Sequence, residues 1–373
     1  MATWLRTKVM NLVDSKEPED TAPSEGALVT VDELRPREDT LGLHVLYEPR
    51  EDPIIADVVA VHGLGGDSFS TWTAFSNVNP KEHKLWLRDF LPKEKYFSQT
   101  RIMTFGYDGR AWFTAKDKSS SKRTFVFAGD LLVALQNNRV LTGALGRPIM
   151  FIGHSLGGIV VKKAIVTAHE SRFESHPLGG LYWDIYESAK AFVFFGTPHQ
   201  GSDAAVWARY LGFVAKVVGV SKSESVNELA TWSPSLVQVA IYFSTHVCRP
   251  GVHLVTFFET LPYNGVQVVN EAAATLNYAH EVRAGLNENH RTICKFASAS
   301  SSTYRLVVPT MQTVVKALAE SAQRKLTESN PVEDAVFPVS FPTAPTKEPG
   351  ASKSAHKEDV EERWKHFPRQ NSS

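Results

Sequence analysis

Cysteine is nearly absent from this chain: Cys248 and Cys294 are the only two in 373 residues. No C-x-x-C pair and no Cys/His ligand spacing occurs, so neither a disulfide scaffold nor a zinc module is supported. Both cysteines lie in apolar stretches and read as buried thiols, which suits a reducing compartment. Excess charge of one sign is absent as well. Forty basic residues balance forty acidic ones, and the basic ones form no stripe. Nothing in that balance points to nucleic acid or to a strongly charged substrate. Long apolar runs are missing too; the nearest, Tyr210–Val220, is short and contains Lys216. No secretory signal is expected either, because MATWLRTKVMNLV at residues 1–13 has no continuous apolar core and no small-residue cleavage site. There is no internal repeat.

What is present is enough apolar material, 43% of the chain, for one large α/β domain with additions. In residues 1–13, Trp4, Leu5, Val9, Leu12 and Val13 fall near one helical face. That fits a terminal helix packed on the domain, with a transit-type or peripheral membrane helix as the alternative. Residues 14–40 read as a flexible acidic linker, 41–321 as the folded domain, and 322–373, with six prolines, as a disordered tail. The expected compartment is cytoplasmic, the alternatives being mitochondrial or membrane-peripheral. Oligomeric state is not written in the chain.

Within 41–321, short apolar runs alternate with helix-compatible segments. Strands are expected over 42–47, 54–61, 100–107, 148–152, 189–195 and 252–258. Helices are expected from 124, after the serine motif, near 271–284, and from Pro309 onward; the polar run 116–122 reads as a loop. This alternation implies a mainly parallel twisted sheet with helices on both faces. In such sheets chemistry collects beyond the carboxyl ends of the strands. His62-Gly63-Leu64, Tyr107-Asp108, Ser155, Thr197-Pro198-His199 and Glu259 all follow a proposed strand directly.

The sharpest motif is Gly153-His154-Ser155-Leu156-Gly157, a G-x-S-x-G turn after the apolar run Pro148–Ile152 and before a helix. A tight strand-to-helix turn pushes the serine oxygen out over the sheet. A Cβ on Gly153 or Gly157 would strike the neighbouring strand or helix. A serine hydroxyl needs a base, and His290, in a polar turn after the last proposed strand, is the candidate. For the acid that orients the histidine, Glu259 leads, with Glu271 and Asp203 as alternatives. An oxyanion site needs two backbone N–H groups. Leu156, just after the serine, offers one; Leu64, in the Gly63–Gly66 loop, offers the other. His62, Gly63, His154 and His199 are read as lining or shaping the pocket. No metal or cofactor is called for.

VVAVHGLGG, IMFIGHSLGGIVVKKA, VFFGTPHQGSD, TFFETLP and ENHRTICKF together resemble the α/β-hydrolase superfamily. More narrowly they resemble lipase-like serine esterases of the serine-active-site-containing type and the hydrolase domains that precede NACHT modules in fungal proteins. The likeness spans roughly residues 40–320. It implies a nucleophile at Ser155, a base at His290 and a backbone oxyanion hole, and it leaves the acid least fixed. It also implies hydrolysis of esters or thioesters of a hydrophobic or acyl substrate, with residues 203–247 placed as a helical lid-like insertion. Acyl transfer or product release in a biosynthetic or lipid-remodelling pathway is the second reading. A catalytically inactive binding module is the third. No NACHT or repeat module is found in the chain, so a free-standing hydrolase is expected.

Overall fold

Side-chain alternation along the strands sorts the core into two layers. The structure, a computed structural model, describes residues 38–109, 120–173, 180–199, 212 and 236–329, except 77, 80 and 81. Seven strands form one sheet: β1 (Gly42–Tyr47), β2 (Ala56–Val61), β3 (Thr100–Gly106), β4 (Ile149–His154), β5 (Ala189–Phe195), β6 (His253–Glu259) and β7 (Glu281–Leu286). Their order is β1-β3-β2-β4-β5-β6-β7. β1 runs antiparallel to β3, with Gly42 opposite Gly106; every other neighbouring pair is parallel. A two-stranded ribbon, Thr73–Ala74 with Lys84–Leu85, lies between β2 and β3 in the chain.

Parallel neighbours need crossovers, which here carry helices that cover both faces. Val59, Val61, Phe151, Phe192 and Phe194 turn to one face. Leu131 and Leu135 of α1 (Ser120–Leu141), Val160 and Ala164 of α2 (Leu156–Glu170), Ile185 of α3 (Trp183–Ser188) and Phe243 of α4 (residues 236–246) cover them. Val58, Ala60, Met150, Ile152, Val193 and Phe195 turn to the other face. There they meet Trp72, Trp86 and Phe97 and, on α5 (Ser302–Ser329), Val307, Met311 and Val315. Each such side chain removed from water contributes about 1.5–3 kcal/mol.

Three expectations are corrected. The stretch near 271–284 is helical only over Glu271–Ala274, and β7 begins at Glu281. As an edge strand, β7 lacks the apolar signature: Val282 is 49% exposed, and Arg283 and Gly285 are exposed too. The last helix starts at Ser302 rather than Pro309 and continues to Ser329, past the expected start of the tail at 322. Pro309 costs an internal hydrogen bond, but burial of Tyr304, Val307, Val308 and Met311 around it holds the helix. Residues 120–122, expected in a loop, open α1. The remaining expectations for residues 1–37, for most of the 203–247 insertion, for Asp203 and for 330–373 fall outside the described residues. No described helix is long and apolar enough to cross a membrane.

At the amino ends of the strands, β2 carries a fully buried Asp57. Arg101 Nε lies 3.2 Å from it, Arg139 Nη1 2.8 Å and Arg147 Nη1 3.0 Å. Arg139 also reaches Asp184 at 3.0 Å and the Ser188 hydroxyl at 3.0 Å. This knot pins β2, β3, α1 and α3 together below the sheet.

Candidate active site

At the carboxyl end of β4 the backbone is strained. Ser155 has φ 55° and ψ −125°, a left-handed conformation that an L-residue holds only when its surroundings force it. The forcing is local. The Ser155 N–H donates to the Phe195 carbonyl at 2.9 Å. A Cβ on Gly153 would run into the α2 backbone at Gly158, and one on Gly157 into the carbonyls of Val61 and His62. A third glycine, Gly158, leaves room for the Thr197 side chain; the sequence reading gave it no role.

The Ser155 hydroxyl lies 3.0 Å from His290 Nε2, and His290 Nδ1 lies 2.8 Å from Glu259 Oε2. Glu259, fully buried at the end of β6, also accepts the Val269 N–H at 2.7 Å through Oε1. Its backbone carbonyl accepts from Gln267 Nε2 at 2.7 Å. Gly196 (φ +51°) lets the chain pass the imidazole, since a Cβ there would sit 3.1 Å from His290 Nδ1. Glu271, the first alternative acid, is exposed on its own helical turn, and Glu259 occupies the position beside Nδ1.

Gly63, Leu64, Gly65 and Gly66 form one wall of a pocket of about 110 Å³ that opens on Ser155 and His290. Gly63 packs directly on the serine; a Cβ there would come within 2.7 Å of Ser155 Cβ. The N–H of Leu156 belongs to the first turn of α2, where no intrahelical acceptor exists. His154 lines the same pocket. It donates from Nε2 to the His290 carbonyl at 2.9 Å, while its Nδ1 is buried without a hydrogen-bond partner. Burial, helped by the nearby His290, lowers its pKa to about 3, so the ring is neutral.

Two of the histidines expected in the pocket stand outside it. His62 is fully buried behind the Gly63 loop: Nδ1 donates to the Gly63 carbonyl at 2.8 Å, and Nε2 accepts the Tyr107 N–H at 3.1 Å. Burial lowers its pKa to about 4, which keeps Nε2 an acceptor. The ring stacks on Tyr107, whose hydroxyl returns a bond to the His62 carbonyl at 2.9 Å. His199 is buried edge-on against Phe194, with both ring nitrogens unpartnered. Burial first, and the nearby Lys162, push its pKa well down. Both rings follow apolar strands and continue the core there, which is why a strand-end position did not make them wall residues.

The far wall was not legible beforehand. Ser70, Thr71, Arg291, Cys294 and Lys295 complete the pocket. Cys294 and Cys248 are both free and buried, and burial pushes the Cys294 thiol up to about 12. Among the described residues no group of three or more His, Cys, Asp or Glu side chains is arranged to hold a metal ion.

No family model matches the chain. Protein SERAC1 of Bos taurus is 28% identical over 300 residues, covering 75% of this chain and 42% of that protein. Its Homo sapiens counterpart is 27% identical over the same shares. The chain thus spans about two fifths of the length of these relatives. Among solved structures, the Bacillus licheniformis lipase BlEst2 is 19% identical with a TM-score of 0.45, covering 73% of this chain and 97% of that one. A Bacillus coagulans carboxyl esterase is 10% identical with a TM-score of 0.42, covering 75% and 100%. The classification rests on the chain's own topology: a parallel sheet with one antiparallel edge, a strained serine turn between β4 and α2, and a histidine after the last strand. The chain has the α/β-hydrolase fold.

Proposed function

We propose that the protein is a serine hydrolase that cleaves carboxylic ester or thioester bonds through an acyl-enzyme. The observation that carries this reading is the hydrogen-bonded line from Ser155 Oγ through His290 to Glu259, set on a strained turn. Ser155 attacks the acyl carbon while His290 Nε2 takes its proton. Glu259 accepts from Nδ1, fixes the tautomer that leaves Nε2 free to act as base, and stabilises the imidazolium that forms. The N–H groups of Leu64 and Leu156 receive the developing oxyanion. His290 then returns its proton to the leaving oxygen. In the second half it activates water, which releases the acyl group and regenerates the serine.

His62 supports this chemistry from behind, because its bonds to Gly63 and Tyr107 hold the loop that offers the Leu64 N–H. A hydrophobic acyl group fits the apolar side chains on the pocket wall, Leu64 and Cys294.

The test is labelling with a fluorophosphonate probe, beside Ser155→Ala and His290→Ala. Wild type should label, and both variants should lose the signal. An unlabelled wild type would remove the basis for the reading. Turnover of p-nitrophenyl butyrate by Glu259→Ala and Glu271→Ala then decides the acid, with only the first expected to be impaired.

A further inference from the structure

Whole-chain neutrality hides a local imbalance. Apart from the imidazoles, the charged side chains lining the catalytic pocket are Arg291 and Lys295, and no carboxylate among the described residues joins them. Both side chains are held in place by neutral partners. Lys295 Nζ donates to the carbonyls of Ser70 and, at 3.0 Å, Thr73, and lies 5.4 Å from the Phe75 ring. Arg291 Nη1 donates to the Tyr263 hydroxyl at 2.9 Å. Carbonyls and a phenol orient these cations without cancelling their charge, and an ammonium or guanidinium has more N–H groups than these bonds use.

The nearest acids hydrogen-bond other donors, and of them Asp67 reaches Lys295 only through space, as the weakest of the influences on it. Asp67 accepts the Phe69 N–H at 2.8 Å, the Ser70 N–H at 2.7 Å and the Ser70 hydroxyl. Glu288 accepts the Thr292 hydroxyl at 2.6 Å. Glu259 is turned to His290 and Val269. Two like charges in one small pocket repel each other, and burial with the neighbouring Arg291 already lowers the Lys295 pKa. An anionic ligand group would relieve that repulsion and complete charge-assisted hydrogen bonds.

The position of the cations says which half of an ester they meet. Arg291 and Lys295 follow His290 on the same turn, and His290 is the group that delivers a proton to the leaving oxygen. On that mechanism the alcohol half departs beside His290, in the pocket whose wall also carries both cations.

We infer that the pocket selects esters whose alcohol half carries an anionic group, phosphate or carboxylate, a few bonds from the scissile oxygen, and that Arg291 and Lys295 are its specificity-determining residues. This rests on the hydrolase reading above. Bulk composition gave no sign of it because forty charges of each sign average it away.

The experiment compares matched butyrate esters that differ in one charge. 1-Butyrylglycerol 3-phosphate is set against 1-butyrylglycerol for phosphate, and the butyrate of 3-hydroxybenzoate against phenyl butyrate for carboxylate. Wild type should prefer the anionic member of at least one pair by about ten- to hundredfold in kcat/KM, chiefly through KM. The pair with the larger ratio identifies the anion. The ratio should fall several-fold in Arg291→Met, fall towards one in Arg291→Met/Lys295→Met, and be largely kept in Arg291→Lys. Raising the salt should shrink it. Arg291 is exposed, so its variants keep the test open if removal of Lys295 impairs folding. Ratios near one in both pairs, or a preference untouched by Arg291→Met, would overturn the inference while leaving the hydrolase reading intact. Failure to cleave any of the four esters, together with no fluorophosphonate labelling, would remove both.

Discussion

The two ends of the sheet treat buried polar groups in opposite ways. At the amino end, Asp57 meets Arg101, Arg139 and Arg147, and Arg139 goes on to Asp184 and Ser188. Each charge there is matched by a fixed partner. At the carboxyl end of the same sheet, the chain tolerates a strained serine, a histidine nitrogen with no partner and two cations that no described carboxylate pairs directly. One end is closed chemistry and holds the fold. The other is left incomplete, and a substrate can complete it. The difference separates what holds the fold from what the proposed hydrolysis uses, within a single sheet.

Ser155→Ala is the largest test of that contrast. Turnover of a p-nitrophenyl ester should drop by about 10⁴- to 10⁶-fold, while the melting temperature stays nearly level, because alanine keeps the same strained backbone and loses only the hydroxyl's bond to His290. A large loss of stability would mean that the carboxyl end also holds the fold. Glu259→Gln comes next. It should cost on the order of 10³–10⁴ in kcat with secondary structure retained, because the amide leaves the imidazole in the wrong tautomer.

Asp57→Ala attacks the other end. Three arginines would be left without their shared carboxylate, so denaturant unfolding should show a loss of about 3–5 kcal/mol. The folded fraction should still label at Ser155. Loss of labelling in protein that is still folded would erase the proposed division of labour.

A smaller effect concerns pH. His62 and His154 are held neutral when folded, with pKa values near 4 and 3 against an unfolded value of 6.5. Their folded pKa values are lowered, so the unfolded chain binds protons first as the pH falls. Their contribution to stability is whole above pH 6.5 and is lost progressively towards pH 3–4, by roughly 3 kcal/mol for His62 and roughly 5 for His154. Chemical denaturation at pH 7 and pH 5 should show this slope, reduced in His62→Asn.

A change of opposite sign, a gain in stability at pH 7, is expected of Lys162→Met. Lys162 is fully buried between Phe194 and Phe243 without a hydrogen-bond partner, and burial lowers its pKa to about 7. Stability should fall as pH drops from 10.5 towards 7 in wild type and not in the variant, whose melting temperature at pH 7 should be higher.

The parts of this design that the sequence announces are those with a one-dimensional signature. β2, β4, β5 and β6 are buried on both faces, so they read as apolar runs, and the motifs at their ends mark the catalytic edge. β7 is an exposed edge and reads as nothing in particular. Ser155, Glu259 and His290 can be placed because each follows a strand or a late polar turn. The Asp57 knot cannot, since its partners lie 44 to 90 residues away along the chain. Arg291 and Lys295 escape for another reason. They look like ordinary surface charges until the loop at Ser70–Thr73 folds back onto Lys295 from 222 or more positions earlier.

That long reach has a consequence in time. Ser155 and His290 touch in the folded protein but are 135 residues apart in the chain. At synthesis rates of about 5–20 residues per second, the serine turn leaves the ribosome roughly 7 to 27 seconds before its base does. Glu259 arrives in between, 31 residues ahead of the histidine it will orient. The nascent chain therefore carries Ser155 without His290 for the 135 residues of synthesis that separate them. The Ser155–His290 contact forms late, when the turn after β7 closes over the sheet.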